Sequence, residues 1–172
     1  MGIIICGMNG SGKSTLGRAL AESLGWRFID NEDLYFPKND PAYLYGHERT
    51  QEEVERLLLE EVRRDERFVF AAVRGNYGAQ VLPYYQAAVL VEVPRETRLA
   101  RVRQRSLDKF GDRARPGGDL YEKEKAFYDL IAARPEDHAT RWLAGVDIPV
   151  LRVDGTRPVE ENISVIRQWM RI

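Results

Sequence analysis

One cysteine, Cys6, excludes an internal disulfide framework, and its apolar surroundings assign it to core packing. Only two histidines are present, His47 and His138, with no metal-ligand spacing or partners, and both read as structural or solvent-facing. The formal net charge is −1, so the chain carries no bulk positive field for nucleic acid, and any anion must be met by a local basic patch. No apolar run approaches the roughly 20 residues of a membrane-crossing helix. Met1-Gly2 runs directly into an apolar segment, which predicts no signal peptide and a cytoplasmic protein. Repeats and low-complexity tracts are missing as well. What remains is a chain of 172 residues, 44% hydrophobic and 31% charged, which is enough for one globular domain with a sizeable core.

The most specific segment lies near the start. Gly7-Met8-Asn9-Gly10-Ser11-Gly12-Lys13-Ser14 fits the phosphate-binding (Walker A) pattern G-x-x-x-x-G-K-[ST] in full. An apolar run over 3–6 leads in as a buried strand, and Leu16, Leu20 and Leu24 lead out at helical spacing. This strand–loop–helix order suits a nucleoside triphosphate. Main-chain N–H groups at a helix start, aided by the helix dipole, meet several packed negative charges without burying a lone cation. Gly7, Gly10 and Gly12 permit left-handed or close-approach backbone. Lys13 is expected on the β- and γ-phosphates and the Ser14 hydroxyl on Mg²⁺, with Asn9 and Ser11 completing the loop.

Beyond the loop, strands are predicted at 26–30, 68–73, 87–93 and 148–153. Thr50-Gln51-Glu52-Glu53 forms a capping box ahead of a helix with Val54, Leu57, Leu58 and Val62 inward. A polar, aromatic-rich connection covers 31–49. Pro94 opens an arginine-studded helix to about 107, and a glycine-rich excursion fills 108–120. A helix over 122–133 aligns Phe127, Leu130 and Ile131, and a short helix through Trp142 follows Pro135. The last helix starts near Pro158 and packs Val159, Ile163, Ile166 and Trp169. Strands alternating with helices imply an α/β protein, a parallel sheet covered on both faces in three layers, with ligand at the carboxyl ends of the strands.

Residues at those ends are therefore the functional candidates. Asp30 and Asp33 follow the second strand, where a carboxylate could serve Mg²⁺ or take a substrate proton, or simply be a solvated turn; Glu32 is expected to face solvent. The third strand ends in Val73-Arg74-Gly75-Asn76, without the aspartate that many phosphate-loop proteins place there for Mg²⁺. That shifts the metal-organising role towards Asp30 or Asp33, with Ser14 and Asp30 the assigned metal residues, and makes Arg74 and Asn76 acceptor contacts or plain surface groups. Glu92 is a weaker metal candidate. Arg98, Arg101 and Arg105 share one helix stripe, with Arg113 and Arg115 beyond it. They form either a solvated basic face or a closing flap that stabilises a migrating phosphoryl group, hinged at Gly111, Gly117 and Gly118. Tyr35, Phe36, Tyr43 and Tyr45 beside Lys38 and Arg49 suit a polar acceptor with anionic groups, or a loop pinned by aromatic packing.

These motifs in this order resemble the nucleoside-monophosphate-kinase-like branch of the phosphate-loop proteins, which includes adenylate, cytidylate and shikimate kinases, over nearly the whole chain. The resemblance implies one domain, 1–172, with a five-stranded parallel sheet ordered 2-3-1-4-5, a helical acceptor-binding insert about 34–65 and a lid about 108–120. It also implies ATP, Mg²⁺ and transfer of the γ-phosphoryl group to a small-molecule acceptor. Gly7, Gly12, Lys13, Ser14 and Thr15 match the family's loop. Arg49 matches the arginine that binds the acceptor's anionic group, and Arg101, Arg105 and Arg113 stand where lid arginines belong. Val153-Asp154-Gly155-Thr156-Arg157-Pro158 resembles the loop bordering adenine, which assigns Thr156 and Arg157 to the nucleotide. Two departures stand out. Asp33-Leu34-Tyr35-Phe36-Pro37 is similar to the segment of uridine and nicotinamide riboside kinases whose aspartate activates a hydroxyl. Arg74-Gly75-Asn76-Tyr77-Gly78 replaces the acidic segment of adenylate kinases. The expectation is a kinase with Asp33 as base and Asp33, Tyr43, Arg49, Arg74 and Asn76 on the acceptor. It would act without nucleic acid or membrane, as a monomer or homodimer. The alternatives are a nucleotide-hydrolysing switch, for which an Asn-Lys-x-Asp base-reading motif is missing, and a toxin-type phosphotransferase.

Overall fold

The computed structural model describes residues 1–38 and 40–172. Five parallel strands, β1 (Gly2–Cys6), β2 (Arg27–Asp30), β3 (Phe68–Ala72), β4 (Tyr85–Glu92) and β5 (Val150–Asp154), pair in the order β2-β3-β1-β4-β5. The central strand β1 and its neighbour β3 are buried at every residue, which is why both read as unbroken apolar runs.

The period of two sorts their side chains into two cores. Ile4, Cys6, Phe68, Phe70 and Leu90 face Val54, Leu58 and Val62 of helix α3 (Gln51–Arg64), while Ile3, Ile5, Val69 and Val89 face Leu16 and Leu20 of α1 (Lys13–Leu24) and Ile166 of α6 (Val159–Met170). The predicted capping box is present in both directions: Thr50 Oγ1 accepts from the Glu53 N–H at 3.2 Å and the Glu53 carboxylate accepts from the Thr50 N–H at 2.8 Å.

Several local expectations are corrected. The connection after β2 begins with a one-turn helix, α2 (Asn31–Tyr35), because Asp30 Oδ1 accepts the Glu32 N–H at 3.0 Å and caps it at once. Helix α4 (Arg95–Phe110) runs about one turn past its expected end, since the Phe110 ring packs against Tyr43 and Tyr45 with centroids 5.6 and 6.2 Å away. A 3₁₀ turn over Gly111–Ala114 follows it. Of the three apolar residues expected to align on α5 (Tyr121–Ala132), only Ile131 is buried, and Leu130 is 59% exposed. That helix packs mainly on α4 and the 3₁₀ turn after it, so the helical period misleads. Beyond Pro135 the helical turn is a 3₁₀ segment over Arg141–Gly145. Met170 and Ile172, not Trp169, join the core under α6.

The parallel register brings the carboxyl ends of the strands to one rim, with Cys6 opposite Ala72 and Leu90, Asp30 opposite Ala71 and Glu92 opposite Asp154. The loops leaving that rim hold the residues of interest. Among the described residues, no helix is long and apolar enough to cross a membrane.

Candidate active site

The loop after β1 is fixed at both ends. Gly7 donates its N–H to the Val73 carbonyl at 3.3 Å, and Leu16 donates to the Gly12 carbonyl at 2.9 Å as α1 begins. Gly10 and Gly12 lie in the left-handed region at φ 80° and 89°. A Cβ on Gly10 would lie 2.3 Å from the Arg98 carbonyl oxygen, so the loop abuts the α4 backbone and tolerates no side chain there. Gly12, as N-cap of α1, has no side chain to cap with, and the first N–H groups of the helix keep their donor capacity. Ser11 is fully buried and its hydroxyl has no partner among the described residues.

Lys13 shows the electrostatic character of the loop. Desolvation brings its pKa down to about 8 from the ordinary 10.5; Asp30 and Glu32 push it up, while Arg105 and Arg134 push it further down. An ammonium held in that state gains its full charge stabilisation from an incoming anion. Ser14 stands beside it, half-buried in the first turn, and Thr15 is exposed.

On one side of the loop a cleft of about 490 Å³ is lined by Ser11, Gly12, Thr15, Arg101, Thr156 and Arg157. Thr156 on its wall is fixed by Asp154, whose Oδ1 accepts from the Thr156 N–H at 2.8 Å and the Thr156 hydroxyl at 2.6 Å. Arg101 Nη1 donates to the Gly155 carbonyl at 3.2 Å and the Gly10 carbonyl at 3.4 Å, bridging the two loops across the cleft. The structure thus gathers Ser11, Gly12, Thr15, Arg101, Thr156 and Arg157 around one cavity, whereas Asn9, Gly10, Lys13 and Ser14 are not in its lining. Glu92, the weaker metal candidate, is paired with Arg152 at 2.6 Å.

On the other side stand the acids after β2. Asp30 and Glu32 are close enough for Lys13 to feel their charge. Glu32, expected in solvent, is half-buried: it accepts from the Tyr45 hydroxyl at 2.9 Å, and Lys109 Nζ lies 3.5 Å away, over the Tyr45 ring. Asp33, expected as the base, is half-exposed and ion-paired with Lys38. With Asp30 capping α2, Glu32 is an acid whose charge acts on Lys13, while Asp33 is paired with Lys38.

The remaining acceptor candidates divide. Arg49 Nη1 donates to the Leu34 carbonyl at 2.8 Å and fastens the end of α2. Tyr43 donates its hydroxyl to Glu124 of α5 at 2.7 Å. Arg74 and Asn76 are exposed on the loop after β3, whose Tyr77 hydroxyl donates to Asn31.

The arginines also separate. Arg105 is exposed and contributes to the positive field at Lys13. Arg113 is paired with Asp119 at 2.7 Å and donates to the Ala42 carbonyl at 3.1 Å, so it ties its own segment to the aromatic one and is not brought to the loop. Arg98, on the predicted stripe, is 4% exposed and paired with Glu136 at 2.9 Å. An arginine that the sequence did not single out, Arg134, donates to Asn9 Oδ1 of the loop at 2.6 Å. Desolvation, then the neighbouring Arg74, lower its pKa. Its one sequence cue is Pro135, which keeps the residue before it out of the helix that ends at Ala132.

The model of the AAA domain family matches residues 3–115, two-thirds of the chain. The protein belongs to the AAA domain family. The matched part of this AAA domain runs from β1 through α4 to the arginines beyond it. Along nearly its full length it is 26% identical to the uncharacterized protein YqaC of Bacillus subtilis (strain 168), over 98% of this chain and 96% of that one. The cytidylate kinase of Stutzerimonas stutzeri (strain A1501) is 35% identical over 80 residues, 46% of this chain and 33% of its own. The solved shikimate kinase of Aquifex aeolicus superposes on 99% of this chain and 96% of its own, with a TM-score of 0.52 at 22% identity, a likeness of fold. The AAA domain here has the fold of the phosphate-loop small-molecule kinases, with its strands in the expected order.

Proposed function

We propose that the protein is an ATP-dependent kinase that transfers the γ-phosphoryl group to a small acceptor carrying a hydroxyl or phosphate and a further anionic group. The observation that carries this reading is the loop itself. A buried Ser11 hydroxyl without a partner among the described residues, uncapped α1 amides and a desolvated Lys13 that feels the charges of Arg105 and Arg134 together suit an anion with several charges.

The base occupies the cleft between Arg101 and the Thr156-Arg157 loop, which brings the phosphates to the amides of residues 10–15 and to Lys13. Ser14 and Asp30 suit Mg²⁺, which is commonly held by one or two protein oxygens together with substrate phosphates. When bound, the ion supplies charge neutralisation on the phosphates. Glu32, fixed by Tyr45 and Lys109, orients the acceptor and receives its proton as the acceptor oxygen bonds to the γ-phosphorus and the bond to ADP breaks. Arg105 and Arg134 stabilise the charge spread over the migrating group. Arg74 and Asn76 meet the acceptor's anion, with Tyr43, Asp33 and Arg49 shaping the insert around it.

The test is an ATP-consumption screen against nucleosides, nucleotides, sugars and hydroxy acids, with product mass measured. A product heavier by one phosphoryl group is expected. Lys13→Ala and Glu32→Gln should each lose about a hundredfold or more in turnover, and Asp33→Asn should lose little. Hydrolysis with no phosphorylated product, or full turnover by Lys13→Ala, overturns the reading.

A further inference from the structure

Arg98 should not be where it is. A guanidinium 4% exposed in the first turns of α4 costs free energy unless its donors are met. They are met from two directions: Nε donates to the Val93 carbonyl at 3.0 Å, and Nη2 donates to Glu136 Oε2 at 2.9 Å. Glu136 comes from the stretch after α5, and its other oxygen lies 3.3 Å from Arg95 Nε. Arg95 in turn donates to the Ala132 carbonyl at the end of α5. Two arginines one turn apart on α4 therefore hold both edges of the short strap 133–136.

That strap carries Arg134, the arginine on Asn9 of the phosphate loop. The backbone of Arg98 is also what Gly10 of that loop abuts. One residue thus touches the phosphate loop through its carbonyl and the strap through its guanidinium, setting the distance between them.

We propose that Arg98 and Glu136 are positioning residues whose ion pair, seconded by Arg95, holds Arg134 at the transferring phosphoryl group. The inference rests on the kinase reading above. Among the described residues Glu136 makes its hydrogen bond and ion pairs with Arg98 and Arg95 and none with the loop, so it acts through the strap. Its removal should therefore matter only while Arg134 is present to be positioned.

A double-mutant cycle tests this in the full chain with ATP and the acceptor found by the screen, reading kcat, KM, ATP affinity by calorimetry, and Tm. Arg134→Met is expected to lower kcat by about a hundredfold. Glu136→Ala is expected to lower it by about tenfold with acceptor KM little changed, a loss of transition-state contact alone. Glu136→Gln keeps an acceptor oxygen for Arg98, and should recover most of the loss. The double variant Glu136→Ala, Arg134→Met should be no slower than Arg134→Met, because neighbours acting as a unit are not additive. If Glu136→Ala multiplies the Arg134→Met loss, or lowers Tm with kcat unchanged, the pair is structural and the proposal falls. A wild-type protein with no turnover on any acceptor would sink the kinase reading instead. The same cycle in ATP affinity would then decide the positioning role: a weakening by Glu136→Ala that vanishes without Arg134 supports it, and an equal weakening in both backgrounds overturns it.

Discussion

Lys13 illustrates how a residue built for a ligand burdens the protein without one. Its pKa of about 8 lies below the ordinary 10.5, so between these values the unfolded chain holds a proton that the folded chain has released. Stability from this group therefore rises with pH from about 8 to 10.5, and below pH 8 the charged ammonium is a constant cost. Lys13→Met should accordingly abolish turnover yet raise the Tm of the ligand-free protein at pH 7, by roughly 2–4 °C for each kcal/mol of desolvation relieved. Differential scanning calorimetry reads this directly, and an unchanged or lowered Tm would contradict it. For ATP the sign reverses. Polyphosphate needs the charged form, so affinity should fall as pH rises through about 8, with proton uptake on binding visible in buffers of different ionisation enthalpy. Gly10 makes the complementary point about shape. Gly10→Ala would set a methyl against the Arg98 carbonyl at a left-handed φ, and a loss of ATP affinity of tenfold or more follows from the displaced amides.

At the scale of elements, the aromatic segment and the end of α4 are joined by more than surface contact. Glu124 of α5 is 9% exposed and accepts from Tyr43 at 2.7 Å and from the Ser106 hydroxyl of α4 at 2.8 Å. Tyr43, Tyr45 and Phe110 stack edge to face or tilted beside it, and Lys109 closes over Tyr45. Glu124→Ala leaves two hydroxyls unpaired, at a cost of about 1–3 kcal/mol. It should raise acceptor KM several-fold while leaving ATP affinity unchanged, because neither Glu124 nor its partners line the cleft proposed for ATP. Steady-state kinetics beside ATP calorimetry separates the two. A matched loss in both would mean that Glu124 supports the whole fold and not the acceptor side alone.

For the molecule as a whole, the rim where five strands end carries the phosphate loop, the acids after β2, the Arg74 loop and the Thr156 loop. Anything that binds this rim binds only the folded chain. ATP with Mg²⁺ at a hundred times its dissociation constant should therefore stabilise by about 2.7 kcal/mol, a rise in Tm of about 5–10 °C. Chelating the Mg²⁺ should remove most of that rise, since Ser14 and Asp30 alone do not neutralise the phosphates. A Tm indifferent to nucleotide would speak against the site as assigned.

The strand order came with the resemblance to the phosphate-loop kinases, while the sequence by itself determined the buried strands, the phosphate loop and the capped helix α3. Each rests on interactions a few residues apart: apolar runs for doubly buried strands, glycines for left-handed turns, Thr50 and Glu53 for a helix start. Only the tertiary structure decided which charges meet. Tyr45 and Lys109 took up Glu32 and Lys38 paired with Asp33, burial took Arg98 off the basic stripe, Asp119 paired with Arg113, and a strap after α5 delivered Arg134 from 125 positions along the chain. Long, flexible charged side chains carry no periodic signature in the chain. Their partners are chosen by packing between distant segments, and that choice exists only once the fold has closed.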